Sequence, residues 1–369
     1  MPKPSERGAC LTGALLLSLS LASSAQAPTA PPSDPSELTA ELLPRAAQSL
    51  LLDAVHASSG YYVSGERGHV LTSTDGAKWQ QQQVPTRSTL TALATVDGQL
   101  WAAGHDGVIL HSADGGQTWH PQRRDPYLLA PDQDTASRDQ RQGAPLLDIL
   151  FTDAAHGIAV GAYSLMLQTT DGGGTWTTVQ ALSGDAGEPA TPQAVASESG
   201  VFNAEDLELG EESNPHFNAI ARTSTGALAV VGERGTFLRS RDEGATWQKL
   251  PFPYAGSLFG VLAWEDDHIL AYGLRGNVYE STDLGSTWTK LDSVARINLM
   301  GGTALANGGA VLVGSNGVVL TRPDGASPFV AGTYSNAAGE TPALAAVIPA
   351  DAGFVVVGEK GVDTYQPKK

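Results

Sequence analysis

The sequence repeats itself with a unit of about forty residues, and this repeat limits the fold more than any other feature. Each unit carries two short motifs. The first is a glycine, two variable residues, usually a second glycine, and then alternating apolar positions; its copies start at Gly65, Gly104, Gly161, Gly232, Gly273, Gly314 and Gly358. The second, an aspartate box, follows six of them as Ser or Thr, one residue, Asp, small residues and an aromatic. Its complete copies carry the pairs Asp75 and Trp79, Asp114 and Trp119, Asp171 and Trp176, Asp242 and Trp247, and Asp283 and Trp288. An eroded sixth copy runs from Asp324 to Phe329.

Each unit reads as four antiparallel strands. In the fourth unit, strands are predicted at 216–223, 227–231 and 236–240, with period-two alternation in the third, and Trp247 opens the last strand. The aspartate box is the turn before that strand: its Asp and Ser side chains bond their own backbone, glycines supply positive φ, and the tryptophan fills the gap to a neighbour. Seven such units predict an all-β, seven-bladed β-propeller of four-stranded antiparallel blades.

The ends of the ring need a closing device. The seventh unit stops after three strands, near Tyr365, with no aspartate box behind it. Because a free edge must be covered, we expect residues 38–44 to supply the missing strand, so that a propeller spanning 38–366 is closed by an N-terminal strand. The first strands of the units, such as 146–150, 256–263 and 299–306, are mostly small or aliphatic, as a crowded ring axis requires.

The N-terminus has the pattern of an export signal. Lys3 and Arg7 precede an apolar run over 11–22 that is too short for a stable anchor, and small residues follow up to Ala25. We therefore expect a cleavable signal peptide over 1–25, a Pro-rich linker over 26–37, and a periplasmic or otherwise extracytoplasmic protein. Cys10 is the only cysteine, so the exported chain is predicted to lack disulfides and thiolate sites.

The net charge and the motif content argue against several classes of function. With 39 acidic and 22 basic residues the net charge is −17, which argues against nucleic acid or an anionic membrane surface as partner. No metalloprotease, hydrolase or phosphate-loop motif is present, and the histidines are scattered. The sequence predicts no catalytic residue, no metal and no cofactor, and a monomer after signal cleavage that does not span the membrane.

The third unit carries the most specific resemblance. The stretch 146–161 (LLDILFTDAAHGIAVG), continuing through 165–176 (LMLQTTDGGGTW), resembles the photosystem II stability and assembly factor family, which has many relatives in non-photosynthetic bacteria. The resemblance covers roughly residues 46–366. It implies a seven-bladed propeller that acts without catalysis as a scaffold or assembly factor and binds a membrane protein or its assembly intermediate. The chain departs from photosynthetic members in two insertions, about 121–143 and 181–215.

Blade topology places these features on one face. The turn between second and third strands and the connection to the next blade share a face, and the aspartate boxes lie on the other. Both insertions fall in connections, and loops grown on a rigid scaffold usually carry function. In the relatives a basic patch on one face docks the partner, so the resemblance implies partner binding by Arg67, Arg234 and Arg275. The remaining binding candidates are the other third residues of the turns and one second residue: Lys360, Asp106, Tyr163, Asn316 and His105.

A structural interpretation of the same turns stays open. A residue between two turn glycines is often only solvated, and Glu66, Glu233 and Glu359 are expected to pair with neighbouring blades. The first insertion carries the apolar triplet Tyr127, Leu128 and Leu129. The second has eight acidic residues and neither Lys nor Arg, so it is a candidate to bind calcium, to mask the arginine face, or to be a solvated loop.

The alternative function is a sialidase-like glycosidase or a carbohydrate-binding propeller, since aspartate boxes also occur in sialidases. That chemistry needs three arginines around a carboxylate, a tyrosine nucleophile with a nearby glutamate, and an acid/base aspartate. Tyr163, Tyr254, Tyr272 and Tyr279 are available, but the usual Arg-Ile-Pro signature is missing; Arg296-Ile-Asn is the nearest string. A scaffold should show a broad mixed-charge face, whereas a ligand-handling protein should show a concave pocket on the axis.

Overall fold

The alternating segments of every unit fold as strands, and each unit forms one antiparallel sheet. The computed structural model describes residues 34–125, 142–182 and 214–367. In that part of the chain, six sheets have four strands and one has three, with the strands of each sheet in sequence order. The all-β, seven-bladed propeller predicted from the repeat is therefore confirmed.

Twenty-seven strands make up the described blades. The first three blades contain β1 (Leu51–Ala57), β2 (Gly60–Gly65), β3 (Val70–Ser73), β4 (Gln80–Gln82); β5 (Leu90–Val96), β6 (Gln99–Gly104), β7 (Ile109–Ser112), β8 (His120–Arg123); β9 (Leu146–Phe151), β10 (Gly157–Gly161), β11 (Met166–Thr169) and β12 (Thr177–Thr178). The other four contain β13 (Phe217–Arg222), β14 (Leu228–Gly232), β15 (Phe237–Ser240), β16 (Gln248–Lys249); β17 (Leu258–Ala263), β18 (Ile269–Gly273), β19 (Val278–Ser281), β20 (Thr289–Leu291); β21 (Leu299–Ala304), β22 (Ala310–Gly314), β23 (Val318–Arg322), β24 (Val330–Thr333); β25 (Leu344–Ala350), β26 (Gly353–Gly358) and β27 (Gly361–Tyr365).

In the described part of the chain, the helical segments are single 3-10 turns. They lie at Pro35–Glu37, Ala46–Gln48, Glu66–Gly68, His105–Gly107, Ala162–Ser164, Glu233–Gly235, Leu274–Gly276, Ala306–Gly308 and Ser315–Gly317. Within the described ranges, no helix has the length and apolarity needed to cross a bilayer.

The hydrophobic core is divided among the seven interfaces between blades. The described residues form seven apolar clusters, and each joins two neighbouring blades, including the cluster that joins blade seven to blade one. Each box aromatic packs into the interface with the blade before it: Trp79, Trp119, Trp176, Trp247, Trp288 and Phe329. The aspartate boxes therefore act as interblade anchors as well as turns.

The aspartate of each box holds its own turn together, as the sequence predicts. Asp114 Oδ1 accepts hydrogen bonds from the Ser112 hydroxyl at 2.8 Å and from the Thr118 backbone N–H at 2.9 Å. Its Oδ2 accepts the Thr118 hydroxyl at 2.6 Å. These bonds, that of the Thr118 hydroxyl first, lower the pKa of Asp114 to about 2. Asp171, Asp242 and Asp283 repeat the arrangement.

The expected closing strand is the one element of the fold that was wrong. Blade seven has three strands, β25 to β27, and residues 38–44 are not a strand. Instead, this segment runs along the first blade, where the Ala40 N–H donates to Val84 O at 2.9 Å and the Leu43 N–H donates to Gln81 Oε1 at 2.7 Å. Pro44, the last residue of this segment, has no N–H to donate to a strand ladder.

A 3-10 turn covers the last strand in place of a fourth strand. The turn Ala46–Gln48 contacts β27, and a Cβ at Gly361 would lie 2.0 Å from the Ala47 carbonyl oxygen. Tyr334 packs in the interface between blade six and blade seven. Its hydroxyl donates a hydrogen bond to Asp363 Oδ2 on β27 at 2.6 Å. The edge is therefore protected by packing rather than by strand pairing.

The described chain begins within the predicted Pro-rich linker. The turn Pro35–Glu37 packs on the propeller: Ser36 is fully buried, and Pro35 O accepts the Arg87 N–H at 2.8 Å. The predicted signal peptide and Cys10 lie outside the described residues, so cleavage and export stay predictions.

Candidate functional site

The turns between second and third strands lie against the connections between blades, which places both on one face, here called the turn face. The Gly235 N–H donates to Gly256 O at 2.9 Å, and the Ser164 N–H donates to Pro215 O at 2.9 Å. At the opposite end of the blades, the aspartate box of the third blade contacts the turn between β9 and β10, where the Gly172 N–H donates to Ala155 O at 2.8 Å. The predicted division into two faces therefore holds.

Arg67, Arg234 and Arg275 share an unusual backbone conformation. Their φ and ψ angles are 55° and 29°, 55° and 32°, and 56° and 30°, in the left-handed region. An L-residue pays roughly 1–2 kcal/mol there, and only Gly, Asn and Asp visit it routinely. All three side chains are exposed. Three turns therefore hold an arginine where local stability favours glycine or asparagine.

The other turn candidates have mixed environments. Asp106, Tyr163 and Asn316 occupy the same left-handed position. Asp106 Oδ2 accepts the Ser88 hydroxyl at 2.6 Å, and the Tyr163 ring packs edge-on against His216 at 5.1 Å between centroids.

The remaining candidates differ from these in geometry or exposure. His105 and Asn316 are exposed. Lys360 lies in a two-residue hairpin without positive φ, and its Nζ lies 3.7 Å from a carboxylate oxygen of Glu340. Asp106, Tyr163 and Lys360 thus have local contacts in their own part of the fold.

The turn glutamates bind within their own blade, which corrects the expected pairing with neighbouring blades. Each carboxylate accepts a backbone N–H from the residue that leads into the first strand of the same blade. The acceptor and donor pairs are Glu66 with Leu50 at 3.4 Å, Glu233 with His216 at 3.1 Å, and Glu359 with Ala343 at 3.4 Å. These glutamates fix the turn to its own sheet, which accounts for their position without a role in binding.

A basic cavity of about 640 Å³ lies on the turn face beside the fifth blade. Arg275, Lys290 and Arg296 line it together with one acid, Asp292, and all four are exposed. Among the described residues, none of the three cations forms an ion pair. In a chain with a charge of −17, this cavity concentrates positive charge.

Lys290 and Arg296 were missed in the sequence. Lys290 lies on β20 and Arg296 in the connection after it, so each comes to Arg275 only through blade topology. Both residues lie in the last strand of the blade or in the connection after it. Considering these segments together with the turn of the same blade would have identified them.

Arg67 belongs to a separate place on the face. It lines a smaller cavity of about 340 Å³ with Arg87, Leu38 and Leu43. Arg87 Nη1 there pairs with Glu41 Oε1 at 2.9 Å. The structure therefore divides the predicted arginine set, with Arg67 in one cavity and Arg275 in another.

Both insertions leave and return at the turn face. At the base of the first, Arg123 pairs with Asp125 at 2.7 Å and donates to Gly107 O in the turn of its own blade. Asp125 also accepts the Gly143 N–H at 2.8 Å, which ties the two ends together. Residues 126–141 and 183–213, with the Tyr127 triplet and the acidic run, lie outside the described residues, and the predictions made for them stand.

The first strands of all seven blades meet at an axial cavity of about 210 Å³. Two half-buried acids line it, Asp53 and Asp148. Burial raises the pKa of each to about 7, and for Asp148 the nearby Asp53 charge adds to the effect. The stretch that holds Asp148 was expected to be mostly small or aliphatic, and the polar character of the axis corrects that expectation.

The tyrosines considered for a sialidase-like site are spread over the molecule. Tyr163 lies on the turn face, Tyr272 lines the axial cavity, and Tyr254 stacks on Tyr279 with 6.2 Å between centroids. In the described ranges, no three of His, Cys, Asp and Glu come together as a metal-binding group.

Together these observations define a class: a seven-bladed β-propeller built from aspartate-box repeats, with a basic cavity on its turn face. Residues 134–317 match the family described as "Photosynthesis system II assembly factor YCF48", and residues 8–137 match "DUF6242 beta propeller domain". The first match and the propeller architecture place the chain in the photosystem II assembly factor-like family. No curated protein sequence matches it.

Three solved structures illustrate the likeness of fold. "YCF48 bound to D1 peptide" is 15% identical, with a TM-score of 0.58 over 90% of this chain and 94% of that one. "YCF48 from Cyanidioschyzon merolae" is 15% identical, with a TM-score of 0.59 over 87% of this chain and 97% of that one. The "WD40 beta propeller domain of Doa1" is 12% identical, with a TM-score of 0.61 over 88% of this chain and 94% of that one. Since unrelated repeat types score alike, these structures show the fold alone.

Proposed function

We propose that this protein is a non-catalytic, exported scaffold or assembly factor that binds a membrane protein, or an assembly intermediate of one, on its turn face. The observation that carries the proposal is the left-handed backbone of Arg67, Arg234 and Arg275. Strained residues that persist on a surface point to a functional constraint. An arginine kept there contributes its charge and its five N–H donors, which glycine cannot supply.

The basic cavity beside the fifth blade identifies the part of the face that is best suited to a partner. Arg275, Lys290 and Arg296 present three cations to one opening against Asp292. Carboxylate groups of a polypeptide are the complementary chemistry, because guanidinium binds them in a bidentate manner. The similar structure "YCF48 bound to D1 peptide" is a complex with a peptide, which supports a segment of a membrane protein as the kind of partner.

Export is part of the proposal because the N-terminal pattern of Lys3, Arg7 and the apolar run 11–22 is typical of a signal peptide. The turn face would then meet parts of membrane proteins that project outside the cytoplasm. N-terminal sequencing of the protein recovered from its host tests this point, and we expect the mature chain to begin after Ala25. An intact Met1 would contradict export by cleavage.

The alternative of a ligand-handling propeller finds less support at the axis and in the basic cavity. The axial cavity, about 210 Å³, is smaller than the 300–1,000 Å³ usual for small-molecule sites. The basic cavity has Arg275 and Arg296 but neither a tyrosine nor a glutamate in its lining, both of which sialidase chemistry requires.

The proposal is tested by affinity capture from detergent-solubilised envelopes of the host. The baits are the native protein, an Arg275→Glu/Arg296→Glu variant, and a Lys78→Glu control; Lys78 is exposed on the face that carries the aspartate boxes. We expect one membrane protein to be enriched by the native and control baits, to be lost with the double variant, and to be released as salt is raised.

Equal recovery by all three baits would exclude the basic cavity as the docking site. Absence of any specific membrane protein from the native bait would overturn the scaffold function and favour the ligand-handling alternative.

A further inference from the structure

The axial cavity is lined by two half-buried acids, and no basic side chain in its lining balances them. Its described lining comes from all seven first strands and from β18, and it contains Asp53 and Asp148 but no Lys, Arg or His. In the described part of the chain, neither acid forms a salt bridge. Acids taken out of water are costly unless a counter-charge or a metal accompanies them.

Each acid is held in a fixed position. Asp53 Oδ1 and Oδ2 accept the N–H groups of Ala54 at 2.8 Å and Leu93 at 2.7 Å. Asp148 Oδ1 and Oδ2 accept those of Ile149 at 2.8 Å and Ile220 at 2.8 Å. In both acids, one bond comes from the same strand and the other from the next blade, so the cavity wall positions each carboxyl before anything binds there.

The side chain of Tyr272 is mostly buried and lines the same cavity. Tyr272 is 4% exposed, and its side chain reaches the axis because the first strands beside it carry glycines. A Cβ at Gly260 would lie 2.1 Å from its hydroxyl oxygen, and one at Gly302 would lie 3.1 Å from it. Among the described residues the Tyr272 hydroxyl makes no hydrogen bond. The Tyr272 hydroxyl is thus open to the cavity and can supply an oxygen to a ligand there.

The remaining polar groups of the lining offer further oxygens. Asn218 donates its Nδ2–H to Leu258 O at 2.8 Å, which leaves its amide oxygen available. Thr91 donates its hydroxyl to Leu146 O at 2.5 Å and keeps its lone pairs. Hard cations prefer a site of this oxygen-rich composition; Ca²⁺ takes 6–8 oxygen ligands in flexible geometry, whereas Mg²⁺ demands a near-ideal octahedron.

We propose that the axial cavity binds one calcium ion, with Asp53 and Asp148 supplying its negative charge and with Asn218, Tyr272 and water completing the oxygen shell. A volume of about 210 Å³ admits the ion with several waters. Because the ligands come from the first, third, fourth and fifth blades, the bound ion would tie distant parts of the ring together. This site is independent of the turn face.

Equilibrium dialysis of ⁴⁵Ca²⁺ against chelator-stripped protein tests the site. We expect one ion per chain, and an Asp53→Asn/Asp148→Asn variant should bind at least roughly tenfold more weakly. The matched control is Asp97→Asn/Asp351→Asn, which removes two exposed acids and should leave binding unchanged. Failure of the native protein to bind at millimolar calcium would overturn the proposal. Equal affinity of the Asp53/Asp148 variant would also overturn it and move the ion elsewhere, for example to the acidic segment 183–213.

Single variants keep the test decisive if the double variant does not fold, as judged by circular dichroism. Tyr272→Phe and Asn218→Ala each remove one oxygen while keeping both acids. Each should weaken calcium binding severalfold relative to the native protein. Unchanged affinity in both would contradict the proposed oxygen shell.

Discussion

The Thr91 side chain donates its hydroxyl to the backbone oxygen of Leu146 at 2.5 Å, and this bond joins the second blade to the third beside the axis. Three further bonds continue the series from the first blade to the fifth: Leu93 N–H to Asp53, Ile220 N–H to Asp148, and Asn218 Nδ2 to Leu258 O. Between the sixth and seventh blades the backbones instead meet directly, since a Cβ at Gly301 would lie 2.0 Å from the Ala345 oxygen.

Removal of the Thr91 hydroxyl should therefore loosen the ring. Thr91→Val keeps the shape of the side chain but leaves the Leu146 carbonyl without this donor, and we expect a loss of about 1–2 kcal/mol in the free energy of unfolding. Urea unfolding followed by tryptophan fluorescence measures it. Thr282→Val is the control, because Thr282 is exposed, and it should change stability by less than about 0.5 kcal/mol. Equal effects of the two variants would show that the interblade hydrogen bond does not contribute to stability.

The turn arginines should be unfavourable for stability. Arg67→Asn and Arg275→Asn place a residue that tolerates the left-handed region at φ of 55° and 56°, and each should raise the free energy of unfolding by up to about 1 kcal/mol. Asn316→Arg is the reciprocal variant at the same position of another turn and should lower stability by a similar amount. The same urea titration measures all three. A destabilised Arg275→Asn would mean that the arginine is kept for structure rather than for binding.

Glu280 should make stability sensitive to acid. Burial opposes its ionisation, but hydrogen bonds from His268 Nε2 at 2.8 Å and Arg322 Nη2 at 2.7 Å outweigh it and lower the pKa of Glu280 to about 2. A carboxyl with a lowered pKa in the folded protein adds stability that is present above its ordinary pKa of 4.5 and is lost as pH falls towards 2. Arg322 is only 2% exposed, and this carboxylate is the counter-charge of its guanidinium.

Glu280→Gln should consequently cost about 1–3 kcal/mol at pH 7, and this difference should shrink between pH 4.5 and pH 2. Urea unfolding of both proteins at pH 7, 4 and 2.5 gives the difference directly. The box aspartates also titrate in this range, but they are common to both proteins and cancel. A difference that stays constant with pH would show that the contribution comes from packing rather than from the charge of Glu280.

The box tryptophans should stabilise the ring as interblade anchors. Trp119 is 5% exposed, lies between the first and second blades, and donates its Nε1–H to Gly116 O at 3.1 Å. Trp119→Ala should lower the free energy of unfolding by about 3–5 kcal/mol. Leu42→Ala, at a side chain that is 59% exposed, is the control and should have little effect on the urea midpoint. A loss below about 1 kcal/mol for Trp119→Ala would contradict the anchoring role.

Local patterns made the architecture predictable. Period-two alternation, turn glycines and the aspartate boxes each act within one blade, and the fourth unit shows the result: strands predicted at 227–231 and 236–240 are observed as Leu228–Gly232 and Phe237–Ser240. The closing strand failed because edge protection depends on long-range packing. Nothing in residues 38–44 signals that the turn Ala46–Gln48 would cover β27 instead.

The candidate site was predictable only in part, for the same physical reason. The turn motif identified Arg275, but Lys290 and Arg296 join it through the folding of β20 and the connection behind it. Each axial acid lies in a different first strand whose other residues are mostly apolar. Asp148 and Asp53 come to line the same cavity only in the folded protein, where the seven first strands converge.

Site-specific photocrosslinking tests the central claim, docking of a membrane protein on the turn face, most directly. Benzoylphenylalanine at Asp292 probes the basic cavity, and at Ala77, exposed in an aspartate box, it probes the opposite face. Irradiation in host envelopes should join one membrane protein to the Asp292 probe and not to the Ala77 probe, and Arg275→Glu should abolish the product. Identical products from both probes, or a product from Ala77 alone, would contradict the account.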